Sequence, residues 1–396
     1  MQLETTSDLK LDEATTSWSA VYAMSLCVFV LIASEFLPVS LLSPLARDLL
    51  ITEGQAGQSI AVSGIFAVIT SLYIAVITQR INRRTVMLGL TLIMIFSGII
   101  VSFASNYIAL MVGRALLGVV IGGFWSLSTA TLMNLLPAHD LPKGLAILNG
   151  GNALAATIAA PLGSFMTTYI GWRGAFFSVV ILGLVSFIWQ LKSFPSMNAN
   201  TTKIISVNVF RLFGNGMFTV GMAAVFCLFM GQFALFTYLR PFLESVTHLN
   251  DTWLSLTLFI LGATGFVGTF VVGKLLKKTL YPVLTLWPCL MALLAFGMIV
   301  SGHEKLETIF LIGLWGFIGT SACIGWSVWL SKVMPDDTEQ GGGLMVAVIQ
   351  FAITLGASLG GQLYDHSGYQ SCFTLSAVTL IAGGILSFMV SRLQKV

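Results

Sequence analysis

Apolar residues run along this chain in long blocks, not in alternation. Twelve stretches have the roughly 20 residues that a helix needs to cross a hydrocarbon layer about 30 Å thick. They cover 18–41, 57–78, 85–105, 107–131, 144–169 and 174–191, then 215–238, 252–273, 281–301, 308–332, 342–363 and 370–391. Between the sixth and seventh lies the one real break, 192–214, which is polar, contains Pro195 and carries three basic residues. Basic clusters follow the second stretch of each half, Arg80 to Arg84 in one and Lys274 to Lys278 in the other. The pattern predicts an all-α polytopic membrane protein: tail 1–17, six-helix bundle 18–191, central loop 192–214, pseudo-symmetric six-helix bundle 215–391, tail 392–396. Two parallel six-helix halves are a transporter design, with a cavity between them near the midplane.

Composition sharpens the picture. Of 396 residues, 56% are hydrophobic and 9% charged, against about 25% charged in a soluble domain. That excludes a soluble enzyme and also disorder. With the N-terminus in the cytoplasm, fourteen basic residues fall on the cytoplasmic side and four (Arg47, Arg173, Arg240, Lys305) on the other. The bias puts both termini in the cytoplasm. The net charge is only +3 and its basic residues form no stripe, so nucleic acid is not an expected partner. Five cysteines sit singly in apolar stretches and read as packing residues. Residues 1–16 hold four carboxylates against one lysine, unlike a cleaved leader, so the first span is expected to stay as an anchor.

A carboxylate inside a span costs some ~2.5 kcal/mol or more and is a functional candidate by default. Of sixteen Asp and Glu residues only Glu35 is embedded in a span. Three residues on, Pro38 lacks an N–H and leaves the carbonyl of Ser34 without its helical donor. Glu35 is expected about 9 Å from the outer end of its span near Leu41, and Arg114 about 10 Å below the same surface. The two embedded charges thus have opposite sign and similar depth. Burial disfavours the charged form of a carboxyl group and a nearby guanidinium favours it. A site that alternates between those influences binds and releases a proton, and Glu35 with Arg114 is expected to be that switch. A permanent ion pair that only fixes packing is the alternative.

Other interior polar and aromatic residues mark a candidate substrate cavity: Phe36, Trp125, Asn149, Asn152, Gln232, Phe233, Phe236, Tyr238, Trp326 and Gln350. Each is also compatible with helix packing. No phosphate-binding Gly-rich loop ends in Lys-Ser or Lys-Thr, and the four histidines form no ligand pair. No enzyme and no cofactor are expected, and uphill work falls to an ion gradient, with the proton as coupling ion.

Several patterns resemble the major facilitator superfamily, in its twelve-span drug/proton antiporter branch. The cytoplasmic motif after the second span of that family is matched by Arg80, Arg83 and Arg84, with Ala75, Gln79 and Asn82 where the family has Gly, Asp and Gly. The helix 4 motif is matched by Arg114, Gly118 and Gly122, and the helix 5 motif in part by Gly151 and Ala160-Pro161-Leu162-Gly163. The resemblance implies a cytoplasmic gate at the three arginines and a role for Arg114 in proton transfer. SEFLPVSLLSP, GGFWSLS, IAAPLGSF, GQFALFTYLRP and VAVIQFA look like purine ribonucleoside efflux pumps, whose neighbours include sugar exporters. That implies proton-driven export of purine nucleosides or analogues across a bacterial inner membrane by a monomer. Sugar or multidrug efflux, uptake by symport, and a membrane sensor remain as alternatives.

Overall fold

The computed structural model describes residues 17–137, 139–197, 209–334 and 338–393. Its long helices are α1 (Trp18–Leu49), α2 (Glu53–Ile77), α3 (Arg83–Ser102), α4 (Tyr107–Leu135), α5 (Leu141–Ser193), α6 (Gly216–Thr237), α8 (Asp251–Ser301), α9 (Lys305–Val333) and α10 (Thr338–Leu393). A short α7 (Leu239–Ser245) continues α6, and a single 3₁₀ turn covers Val209–Gly214. Three helices are too long for one crossing and break inside: α5 at Gly171, α8 at Thr279 and α10 at Gly368. Counting each break as a membrane turn gives the twelve predicted spans. Gly171 (φ 70°, ψ 171°) and Gly368 (φ 77°, ψ 178°) occupy the same place in the two halves, in a backbone region that side chains exclude. Residues 1–16 and 394–396 of the tails and 198–208 of the central connection lie outside the described residues.

The first span departs from its predicted limits. Charge at Arg47 and Asp48 marks 42–49 as a connection, yet α1 continues through Pro38 and Pro44 to Leu49. Leu42, Ser43, Leu45 and Ala46 of this extension are buried against the rest of the molecule, while Arg47 and Asp48 stay exposed. Packing, not hydropathy, sets that end.

Close helix contact rests on small residues. Gly118 and Gly122 of α4 lie against the main-chain oxygens of Ser63 and Ala67 in α2, and a Cβ at either would stand 2.2 Å from that oxygen. Gly356 and Gly360 of α10 pack on Met230 and Ala234 of α6 in the same way. The starts of α1 and α5 and the ends of α4 and α10 share one end of the molecule, called here the terminal end. The halves meet along α1–α7, α2–α10 and α5–α8. Between described residues, the hydrogen bonds joining them run from mid-helix to the far end, and none lies on the terminal side. This conformation is closed at the far end.

Candidate transport site

Glu35 is buried in the middle of α1 at the seam between the halves. Its Oε1 accepts from Nε2 of Gln350 in α10, at 3.2 Å. The next residue, Phe36, stacks on Phe233 of α6 with ring centroids 5.9 Å apart, and meets Phe236 edge-on at 6.2 Å. Phe233 and Phe236 close the triangle at 5.7 Å. On the same helix Gln232 turns toward Gly319 of α9, and its buried Oε1 has no partner. Five of the predicted residues therefore gather around Glu35 and Phe36: one acid, one amide and three rings, drawn from both halves, with the Gln232 amide next along α6 turned into the second half.

Arg114 approaches Glu35 from behind. Its Nη1 donates to the main-chain oxygen of Ser34 at 2.7 Å, and Nη2 reaches that of Glu35 at 3.3 Å. Nε and Nη2 also bond the Ser59 carbonyl (3.0 Å) and the Ser63 hydroxyl (2.9 Å) of α2. The guanidinium thus takes up the carbonyl that Pro38 frees and ties α1, α2 and α4 together. It forms no ion pair with the Glu35 carboxylate, which faces the other half. The two charges share a helical turn, not a salt bridge. Ser59 and Ser63 were not singled out from sequence; their i, i+4 spacing on one face of α2 was the available signal.

The remaining candidates lie elsewhere. Asn149 is exposed and bonds its own helix at Leu145, and Asn152 is half-buried. Gly151 between them packs on Ser25 of α1, about 15 Å toward the terminal end from Glu35. Trp125 stands edge-on to Phe124, about 16 Å along α4 from Arg114. Tyr238 is a packing residue: its hydroxyl donates to Ala357 at 2.7 Å, its ring stacks on Tyr364, and it abuts Gly57 and Gly361. Trp326 is buried against Trp329 within the second half. Arg84 donates to the Leu191 carbonyl and Arg83 N–H to that of Met197, both inside the first half. Asn82 caps α3 and binds Ser196. Among the described residues, none of the three arginines bonds the second half in this conformation.

The family profile described as Major Facilitator Superfamily matches residues 24–348. A Pseudomonas aeruginosa protein named transcription regulatory protein OpdE is 50% identical over 383 residues, 96% of this chain and 95% of that one. The purine ribonucleoside efflux pump NepI of Salmonella enteritidis is 39% identical over 368 residues, 93% and 92% of the two chains. Among solved structures, a D-xylose-proton symporter superposes with a TM-score of 0.77 at 15% identity, over 94% of this chain and 98% of that one. A bacterial homologue of the human lysosomal transporter Spinster, inward-facing and unoccupied, does so with a TM-score of 0.72 at 14% identity, over 94% and 96%.

Proposed function

This chain belongs to the Major Facilitator Superfamily, and we propose that it exports purine ribonucleosides or close analogues in exchange for protons. The whole chain alternates access between its two faces, with both termini in the cytoplasm and the far end outside. The observation that carries the reading is Glu35, a buried acid that one half supplies and Gln350 of the other half holds. A group placed there feels every change in how the halves meet. Its proton state and the conformation are therefore linked, which is what coupling requires. The three rings offer a face for a planar base, and the unpartnered Gln232 oxygen awaits an N–H or O–H donor. The similarity to NepI supports purine nucleosides over sugars.

Arg114 serves by holding the turn that aims Glu35 at the seam. Protein in vesicles with an imposed pH gradient is expected to exchange protons for inosine or guanosine. Glu35→Gln keeps the protein folded and abolishes gradient-driven flux. Undiminished proton-driven export by that variant removes Glu35 from the role.

The name of the Pseudomonas relative, at higher identity, favours a second reading: a membrane sensor that binds a ligand without moving it. Counterflow separates the two. A carrier exchanges labelled for unlabelled nucleoside across the vesicle, whereas a sensor binds and does not exchange.

A further inference from the structure

Arg240 lies in α7 at the far end of the second half and is 4% exposed. Its guanidinium donates in two directions. Nε bonds Glu244 Oε1 at 2.7 Å, one turn along its own helix, and Nη1 bonds the main-chain oxygen of Ser40 in α1, across the seam. Ser40 stands four residues before Pro44. In an uninterrupted helix the carbonyl at 40 accepts the N–H at 44; proline has none, and its ring presses that carbonyl outward. Arg240 therefore docks on an acceptor that the sequence itself leaves open. Glu244 completes the junction by accepting from Arg47, also on α1, at 2.9 Å.

The same construction occurs within the first half, where Pro38 frees Ser34 and Arg114 takes its oxygen. The difference is topological. Arg114 joins helices of one half, so its bonds survive a rocking of the halves. The bond from Arg240 spans the seam and must break whenever the far end opens. A second tie there joins Asp365 of α10 to the Thr52 hydroxyl (2.5 Å) and the Gly54 N–H (2.9 Å) of α2, and its aspartate and threonine are exposed to solvent. Water substitutes for an exposed contact at little cost, whereas a buried guanidinium and a donorless carbonyl both lose heavily when parted. The buried contact is the stronger of the two.

We propose that Arg240 is the latch of the far-end gate, a positioning residue that docks the second half onto the carbonyl freed by Pro44 and lets go when that end opens. This rests on the alternating-access reading above. Its test measures distance, not flux, so the two fail separately. Spin labels at Ile108 and Leu306, exposed far-end positions at the starts of α4 and α9, report the separation of the halves in the full chain in lipid nanodiscs, with the native cysteines replaced. Arg240→Gln is expected to raise the ratio of long to short distances roughly tenfold, the scale of a charge-assisted hydrogen bond. Glu244→Gln, which removes the group aiming Arg240, shifts the ratio in the same direction. Pro44→Ala, which supplies Ser40 with a helical donor, does so too, and the Arg240→Gln/Pro44→Ala pair shifts it no further than the larger single change. A distribution unmoved by Arg240→Gln overturns the latch. Full additivity in the double variant overturns the part given to Pro44. Should Arg240→Gln not yield folded protein, unmoved distributions in both Glu244→Gln and Pro44→Ala overturn the proposal instead.

Discussion

Arg114 makes four hydrogen bonds, three of them to main-chain oxygens, and is 1% exposed. Removing it leaves the Ser34 carbonyl without a donor in an apolar interior. Arg114→Ala is therefore expected to cost about 2–4 kcal/mol, read as a lowered unfolding temperature of the purified protein. Pro38→Ala returns an N–H to Ser34 and is expected to reduce that cost. An equal loss with and without Pro38 would show that the freed carbonyl is not what Arg114 serves. Gln232 makes the opposite case, an acceptor with nothing to accept. If substrate fills it, Gln232→Leu raises the apparent KM for inosine roughly tenfold, about 1.4 kcal/mol, and leaves thermal stability unchanged. A lowered unfolding temperature with unchanged KM would mark it as helix glue. Tyr238, named from sequence beside the others, shows how far a residue list can mislead. An aromatic ring and a hydroxyl suit a cavity and a helix crossing equally well, and the Ala357 carbonyl decides between them.

At the level of the helix, the prolines explain more than the hydrophobic blocks do. Pro161 in α5 frees the oxygen of Thr157, and Gly262 of α8 packs onto that oxygen from the other half. With Pro38 and Pro44 this makes three freed carbonyls within the helices of the first half, of which those of Ser40 and Thr157 face the seam. Helix ends follow backbone rules: Thr52 closes a capping box at the start of α2 and Asn106 caps α4. The breaks at Gly171 and Gly368 need a backbone that only glycine adopts freely. Gly171→Ala and Gly368→Ala are each expected to cost about 1–3 kcal/mol. Gly89→Ala, in an open helical position, costs nothing and gains a few tenths of a kcal/mol or more from helix propensity. Matching thermal melts of the three variants would remove the special role of the two breaks.

Over the whole molecule, the two halves pack at the far end and are joined at mid-depth by Glu35 and Gln350. Gly262 tests that arrangement from the α5–α8 seam, away from any charge. A Cβ there stands 2.2 Å from the Thr157 oxygen, and neither backbone can yield. Gly262→Val is expected to part the seam and lengthen the Ile108–Leu306 label distance while leaving helix content intact. An unchanged distance would mean that the halves are not held together along that line. The relatives at 39–50% identity span nearly the whole chain, so the two-half architecture is common to them at the level of sequence.

Twelve spans, two halves, the embedded acid and the embedded cation were all determined by the sequence alone. Each follows from the cost of placing polar groups in hydrocarbon, and that cost is paid locally, residue by residue. The chain also announced which carbonyls would lack a donor, because a proline at one position strips the acceptor four residues back whatever surrounds it. Which donor comes to each orphan was left to the tertiary structure. Arg114 and Arg240 lie 80 and 200 residues from the oxygens they serve, and no local rule ranks one distant guanidinium above another. For the same reason the matching depth of Glu35 and Arg114 was legible, while the side of the helix on which they meet was not. Depth is a sum along one chain segment, but facing depends on how helices from both halves pack around it.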